Sequence, residues 1–198
     1  MSRFQNLGPD TGLSPALLSP PEQAADGAER PTDPAALEVY SWDNTGLPPR
    51  PQAVVLAENA QQVAALLRVC NQAKSPVIPR GAGTGNVGGA LAPHGGVILS
   101  TQRMNSIGTV NTADRNVRVG PGVVNAELQA ALAEHGLFWP PDPSSSKACT
   151  IGGNIAMCAA GPGAVRWGVT RDWVLGLTAV LPSGEIIHTG GPATKSVV

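Results

Sequence analysis

Seven of the sixteen residues from Gly81 to Gly96 are glycine, five of them crowded between Gly81 and Gly89, and the apolar pair Val77-Ile78 runs into them through Pro79-Arg80. Glycine adopts positive φ without penalty and puts no side chain between its N–H and an approaching anion, so such a run converges backbone donors on phosphate. A diphosphate-bearing ligand is the chemistry this spacing suits. A plain surface turn is the competing reading, but turns seldom need five glycines in nine residues.

Within the run, Gly83-Thr84-Gly85-Asn86-Val87-Gly88 has the G-x-G-x-x-G spacing of dinucleotide loops. Such a loop has to open an apolar-periodic helix and be followed about 20 residues later by an acidic residue for the ribose. Neither requirement is met: Gly89-Ala90-Leu91-Ala92-Pro93 cannot propagate a helix, and Arg103, Met104 and Asn105 fill the acidic window. No Gly-Lys-Ser or Gly-Lys-Thr follows, which excludes a Walker-type loop. Both standard nucleotide-loop readings therefore fail on their context.

The elements that must position this loop are legible on either side of it. Ala53-Val54-Val55-Leu56 is a short buried strand. Asn59 then caps a helix carrying Ala60, Val63, Leu66, Leu67 and Cys70 on one face to about Ala73. Ser75-Pro76 ends it, and Val77-Ile78 forms a second strand, so strand–helix–strand predicts a parallel pair joined by a right-handed crossover. Val97 to Ser100, Ile107 to Val110 and Val117 to Val119 read as further strands. Asn125 can cap a helix bearing Leu128, Ala131 and Leu132, Thr150 to Ala156 resembles a glycine-loaded helix start, and Val174 to Leu181 with Ile186 to His188 predicts a hairpin turned at Pro182-Ser183-Gly184-Glu185. The first 51 residues hold nine of the nineteen prolines and read as an extended lead-in, residues 1–49, with one or two helical turns around Ala35 to Tyr40.

Composition sets the class. The 198 residues include 24 Gly and 19 Pro, yet 42% are hydrophobic, enough for a packed core in a loop-rich globular protein of one domain with an appendage or two small lobes. A net charge of −1 offers no electrostatic footprint for a phosphate backbone, which excludes nucleic acid as a partner. Cys70, Cys149 and Cys158 are too few and too irregularly spaced for a disulfide framework or a zinc site, and point to a reducing, cytoplasmic setting. MSRFQNLGPD has no apolar run and does not read as a secretory signal. Ala148 to Val165 runs 18 residues without a charge, but Gly152, Gly153, Gly161, Pro162 and Gly163 make it a poor transmembrane helix.

Several segments in order, Pro79-Arg80-Gly81-Ala82-Gly83-Thr84-Gly85, Pro121-Gly122-Val123, Pro141-Asp142-Pro143-Ser144-Ser145 and Cys149-Thr150-Ile151-Gly152-Gly153-Asn154-Ile155-Ala156, resemble the FAD-binding domain of the vanillyl-alcohol oxidase superfamily. The group most resembled is the flavin subunit of glycolate oxidase with the D-lactate and D-2-hydroxyglutarate dehydrogenases. Trp167-Gly168-Val169, Val174-Leu175-Gly176-Leu177 and Pro182 to Ile186 continue the likeness, which covers roughly residues 35 to 198. It implies an α+β, two-lobed FAD-binding domain of the PCMH type over residues 50–198, with lobes about 50–105 and 106–198 and flavin between them.

The resemblance assigns the diphosphate to the loop Pro79, Arg80, Gly81, Ala82, Gly83, Thr84, Gly85 and Asn86. It assigns the flavin walls to Pro141, Asp142, Ser144, Ser145, Thr150, Gly152, Gly153, Asn154, Ala156 and Gly161, and a further contact to Ile186. Relatives that tether flavin often carry histidine where Thr84 stands here, so FAD is expected to bind non-covalently. Glu-Asn and Ala-Gly-Gly usually follow the Gly-Gly-Asn segment; this chain departs with Met157-Cys158 and Ala159-Ala160-Gly161. Read on their own, Asp142 fits a turn cap and Asn154 a polar residue at a helix start. His94, His135, His188, Trp139, Trp167, Trp173, Arg166 and Cys158 read as structural or surface residues.

Function follows as an expectation: the cofactor half of an FAD-dependent dehydrogenase of a small D-2-hydroxy acid such as glycolate or D-lactate. An oxidase of another alcohol or a sugar and a non-catalytic FAD-binding subunit are the alternatives. An iron–sulfur or second flavin subunit would take the electrons and could seat the protein at the inner face of a membrane. Relatives continue past Lys195 into a substrate domain, so the chain is expected to be a piece of a longer protein, inactive alone, with its catalytic base elsewhere.

Overall fold

The computed structural model describes residues 28–29, 33–46 and 51–192. Helix α1 (Pro34–Val39) starts at Pro34, whose fixed φ and missing N–H suit a first helical turn. Residues 1–27, 30–32 and 47–49 of the lead-in, with most of its prolines, lie outside the described residues. Strand β1 (Ala53–Leu56) leads to helix α2 (Ala60–Gln72), where the Asn59 side chain accepts from Gln62 N at 2.9 Å as the expected cap. Strands β2 (Val77–Arg80) and β3 (Val97–Ser100) complete a three-stranded parallel sheet.

The sheet order is β1-β3-β2, so the predicted direct pairing of the first two strands is corrected: they run parallel but flank β3, with Ala53 and Val77 both facing Val97 in register. The cause is in the strands themselves. Every residue of β3 is buried, as a central parallel strand requires, while β2 carries the exposed Pro79, which cannot donate to a ladder and belongs at an edge.

Alternation of side chains along the sheet builds two cores. Val55, Val97 and Leu99 pack against Val63, Leu66 and Cys70 of α2, whereas Val54, Leu56 and Ile98 pack with Ala92 against Leu37 and Tyr40 of the α1 region. Cys70 is 1% exposed, and burial pushes its thiol from 9.0 up to about 11, so it is a neutral core residue.

The second half is held by a third cluster, Val123, Leu128, Leu132 and Ile151, flanked by Ile107, Val110, Val117 and Val119. The strands expected at residues 107–110 and 117–119 are corrected to isolated antiparallel bridges, Ile107 to Val119 and Asn111 to Asn116. Glycines break the ribbon there, and a Cβ on Gly120 would overlap the Met104 carbonyl. Helix α3 (Asn125–Ala133) departs from the expected cap: Val124 is the N-cap, and Asn125 lies inside the helix, fully buried. The Asn125 amide donates instead to Pro141 O at 3.1 Å, while Val124 N donates to Glu127 Oε2 at 3.4 Å.

Helix α4 (Ile151–Ala156), helix α5 (Ala164–Trp167) and a 3-10 turn (Thr170–Trp173) precede the antiparallel hairpin of β4 (Gly176–Val180) and β5 (Ile186–Gly190). Arg68 Nη2 donates to Gly184 O at 2.8 Å and ties the hairpin turn to α2. Among the described residues, no helix is long and apolar enough to cross a membrane, and no cluster of His, Cys, Asp and Glu could hold a metal ion.

Candidate functional site

The glycine loop leaves the sheet at the C-terminal end of β2, where Thr101 N donates to Arg80 O at 3.0 Å. No helix follows it before β3, consistent with the failed dinucleotide-loop reading. Gly83 sits at φ +72°, in the left-handed region that favours glycine. From Gly81 to Asn86 no backbone N–H donates to another group among the described residues, so this stretch presents free donors. Free, partly exposed donors on a glycine backbone are what a diphosphate requires.

Arg80 stands apart from its neighbours. Its side chain turns inward and is 6% exposed, with Nη2 donating to Trp42 O at 2.7 Å and Nη1 to Ala90 O at 3.2 Å. The guanidinium carbon lies 5.9 Å from the Tyr40 ring centre. Burial lowers the guanidinium pKa, and the nearby Asp43 and Tyr40 oppose that shift, so the group remains a cation under the loop.

The other predicted segments converge by backbone contacts. Ile151 N donates to Val123 O and Gly152 N to Pro121 O, both at 2.8 Å, and Asn125 N donates to Cys149 O at 2.9 Å. This lacing sets the Pro121 segment beside the start of α4, which Thr150 caps through Gly153 N at 3.4 Å. A Cβ on Gly81 would overlap Thr150 Oγ1, so the glycine loop also touches this cap. A Cβ on Gly152 would lie 2.6 Å from Pro121 Cβ, and one on Gly161 would overlap the Asp142 backbone. These two glycines are therefore demanded by packing between protein segments.

The structure thus brings together Gly81, Pro141, Asp142, Thr150, Gly152, Gly153, Asn154 and Gly161. Asp142 and Ser144 are exposed, Ser145 O accepts from Cys149 N at 2.8 Å in the turn that precedes α4, and Ala156 is exposed at that helix's end. Ile186 stands apart, opposite Val180 on the hairpin near α2. Nothing in the sequence marks residues 41–46 as part of a site, yet Asn44 Nδ2 donates to Thr84 O at 3.2 Å and to Asn86 Oδ1 at 2.8 Å. No periodicity could reveal that pairing, since it crosses about forty residues of chain.

Asn154 Nδ2 and Asn125 Oδ1 are buried without a hydrogen-bond partner among the described residues. Buried amides nearly always find partners, and Asn154 lies on α4 where the segments meet. A cofactor with a diphosphate and further polar atoms fits this combination of free N–H groups and an unpaired amide.

Phe138, Arg166, Trp167 and Trp173 engage each other. Arg166 lies 4.6 Å over the Trp167 ring, Phe138 meets Trp167 edge-on at 5.4 Å, and Trp173 Nε1 donates to Trp167 O at 2.8 Å. His188 Nδ1 is 3.0 Å from Thr178 Oγ1 across the hairpin, and His94 and His135 are exposed. Cys158 adopts φ +48° just past α4, with Ala159 N donating to Asn154 O at 2.8 Å in a left-handed helix stop. Asparagine accepts that conformation better, so Cys158→Asn is expected to raise stability by about 1 kcal/mol, measured by chemical denaturation; an unchanged or lowered midpoint would contradict it.

The geometry defines a cofactor-binding α+β domain, and comparison with known proteins names its kind. Residues 51–190 match the family described as FAD binding domain. The chain belongs to that family, has the fold of the vanillyl-alcohol oxidase type, and its cofactor is FAD. It is 41% identical over 160 residues to the glycolate oxidase subunit GlcD of Bacillus subtilis (strain 168), covering 80% of this chain and 34% of that protein. A D-lactate dehydrogenase of Anaerostipes hadrus is 42% identical over 147 residues, covering 74% of this chain and 31% of its own length. A D-2-hydroxyglutarate dehydrogenase of Xanthomonas citri pv. viticola is 37% identical over 183 residues, 92% and 39% respectively. Among solved structures, 6-hydroxy-D-nicotine oxidase from Arthrobacter nicotinovorans superposes with a TM-score of 0.68 at 24% identity, over 84% of this chain and 36% of that one, a likeness of fold alone. The chain spans about a third of the length of these curated relatives.

Proposed function

We propose that the chain is the FAD-holding portion of a flavin-dependent dehydrogenase or oxidase of small D-2-hydroxy acids, of the glycolate and D-lactate kind. The observation that carries the reading is the meeting of the glycine loop, the Pro141-Asp142 turn and the start of α4 at one place, in a chain more than 40% identical to hydroxy-acid enzymes over that stretch. Bound FAD would supply a hydride acceptor at its flavin ring.

The chain's own residues bind and orient. The free N–H groups from Gly81 to Asn86 take the diphosphate, and Thr150, Gly153 and Asn154 line the flavin side, the unpaired Asn154 amide donating to it. Thr84 cannot form the tether that histidine forms in relatives, so FAD is held non-covalently. The cofactor lies in the seam between residues of about 50–105 and 106–198, where polar loops of the two halves face each other. The base that takes the hydroxyl proton, and an iron–sulfur or flavin partner that takes the electrons in a cytoplasmic setting, belong to the rest of the assembly.

Acid precipitation of the full-length protein tests both claims about the cofactor. A yellow supernatant with the mass of FAD is expected; FMN, or flavin that stays with the pellet, would refute one claim each. Dye reduction by that protein with glycolate, D-lactate and D-2-hydroxyglutarate then tests the substrate class, and turnover only of sugars or aromatic alcohols would overturn it.

A further inference from the structure

We infer that Arg80 is a positioning residue for the cofactor loop, acting with Asn44 as a two-point clamp, and that the segment of residues 40–44 is therefore a working part of the cofactor site. The inference rests on the FAD-binding reading and adds to it residues that lie N-terminal to the matched domain of 51–190.

Three features make the clamp. First, Arg80 spends its guanidinium on main-chain carbonyls from two sides, Trp42 O on the lead-in and Ala90 O at the far end of the loop. A planar fork with fixed donor directions fixes both distances at once, which a lysine ammonium cannot do. Second, the fork lies directly beneath Gly83: a Cβ there would overlap Nη2 and crowd the guanidinium carbon at 2.6 Å. The loop therefore rests on the arginine side chain, at the residue whose positive φ makes the turn. Third, Asn44 reaches the same loop from the same segment, donating to Thr84 O and to the Asn86 side chain.

Together these contacts pull three carbonyl or amide oxygens of the loop and its neighbours toward the lead-in. In a glycine-rich stretch with little conformational preference of its own, drawing carbonyls to one side leaves the N–H groups free on the other. The N–H groups of Gly81 to Asn86 are free in this way. Tyr40 closes the arrangement, with its ring under the cation and its body packed in the second sheet core, so the clamp is anchored to the fold through α1. The positive charge of Arg80 acts through the loop's shape, since the side chain is buried and both terminal nitrogens donate to main-chain carbonyls.

The test uses full-length protein stripped of flavin, and titrates FAD and riboflavin into wild type, Arg80→Ala, Arg80→Lys and Asn44→Ala by flavin fluorescence. Arg80→Ala is expected to weaken FAD by about 30-fold and riboflavin, which has no phosphate, by less than about threefold. Arg80→Lys is expected to recover only part of that loss, and Asn44→Ala, at an exposed residue that the fold tolerates, to cost about fivefold. Methylguanidine added to Arg80→Ala is expected to restore FAD affinity about tenfold while leaving wild type unchanged, a rescue that a general folding defect would not give. Equal losses for FAD and riboflavin, full affinity in both Arg80→Lys and Asn44→Ala, or no rescue would each overturn the clamp. Failure of the wild type to bind FAD would overturn the cofactor reading with it.

Discussion

Gly83→Val is expected to leave the full-length protein without flavin, with FAD affinity reduced at least about 100-fold, because three effects coincide at one position. A β-branched residue resists φ +72°, its Cβ would strike the buried Arg80 guanidinium, and any relief of that clash turns the neighbouring N–H groups away from the diphosphate. Gly85 makes the comparison sharp, for it lies in the same loop without positive φ, and an added methyl there would have no protein atom within 4 Å. Gly85→Ala should therefore melt like the wild type, so flavin lost there reports a ligand in that space. Flavin content and melting of the stripped protein decide the matter; a Gly83→Val protein that purifies fully yellow would sink the assignment of the loop.

The contrast between these two glycines shows what could be read from the chain and what could not. Crowded glycine after an apolar strand is a local signal, as is an Asn placed before an apolar helical face, so the loop, the Asn59 cap, the helix start at Thr150 and the β4–β5 hairpin were all legible. Strand order is a different kind of fact. Val77-Ile78 follows α2 in sequence, but the fully buried β3 displaces it to the edge, and only the burial of all three strands together decides which one is central. Asn125 fails for a related reason: a helix-start asparagine reads as a cap unless a distant carbonyl, here that of Pro141, claims its amide. The partners of Arg80 lie 38 residues before it and 10 after, so the resemblance places it in the diphosphate loop while no spacing in the sequence shows that its side chain turns to two main-chain carbonyls.

The motif glycines of the α4 side carry the second large effect, for they separate packing from ligand contact. A Cβ on Gly161 would overlap Asp142 O and lie 2.6 Å from its carbonyl carbon and 2.9 Å from its nitrogen, all backbone atoms that no side-chain rotation can clear. Gly161→Ala must then push the Pro141-Asp142 turn away from the segment that follows α4, and Asn125 holds that turn through Pro141 O in a fully buried hydrogen bond. Overpacking of this kind costs about 1–3 kcal/mol, and unlike Gly83→Val it acts on the stripped protein as well as the loaded one. Chemical denaturation of flavin-free Gly161→Ala is expected to show that loss, with flavin content falling in parallel because two walls of the site have moved apart. Wild-type stability would mean that the two segments do not abut as described. Lost stability with full flavin content would instead detach the Asp142 wall from the cofactor while leaving the glycine loop's role intact, since the atoms nearest a Gly161 Cβ all belong to Asp142.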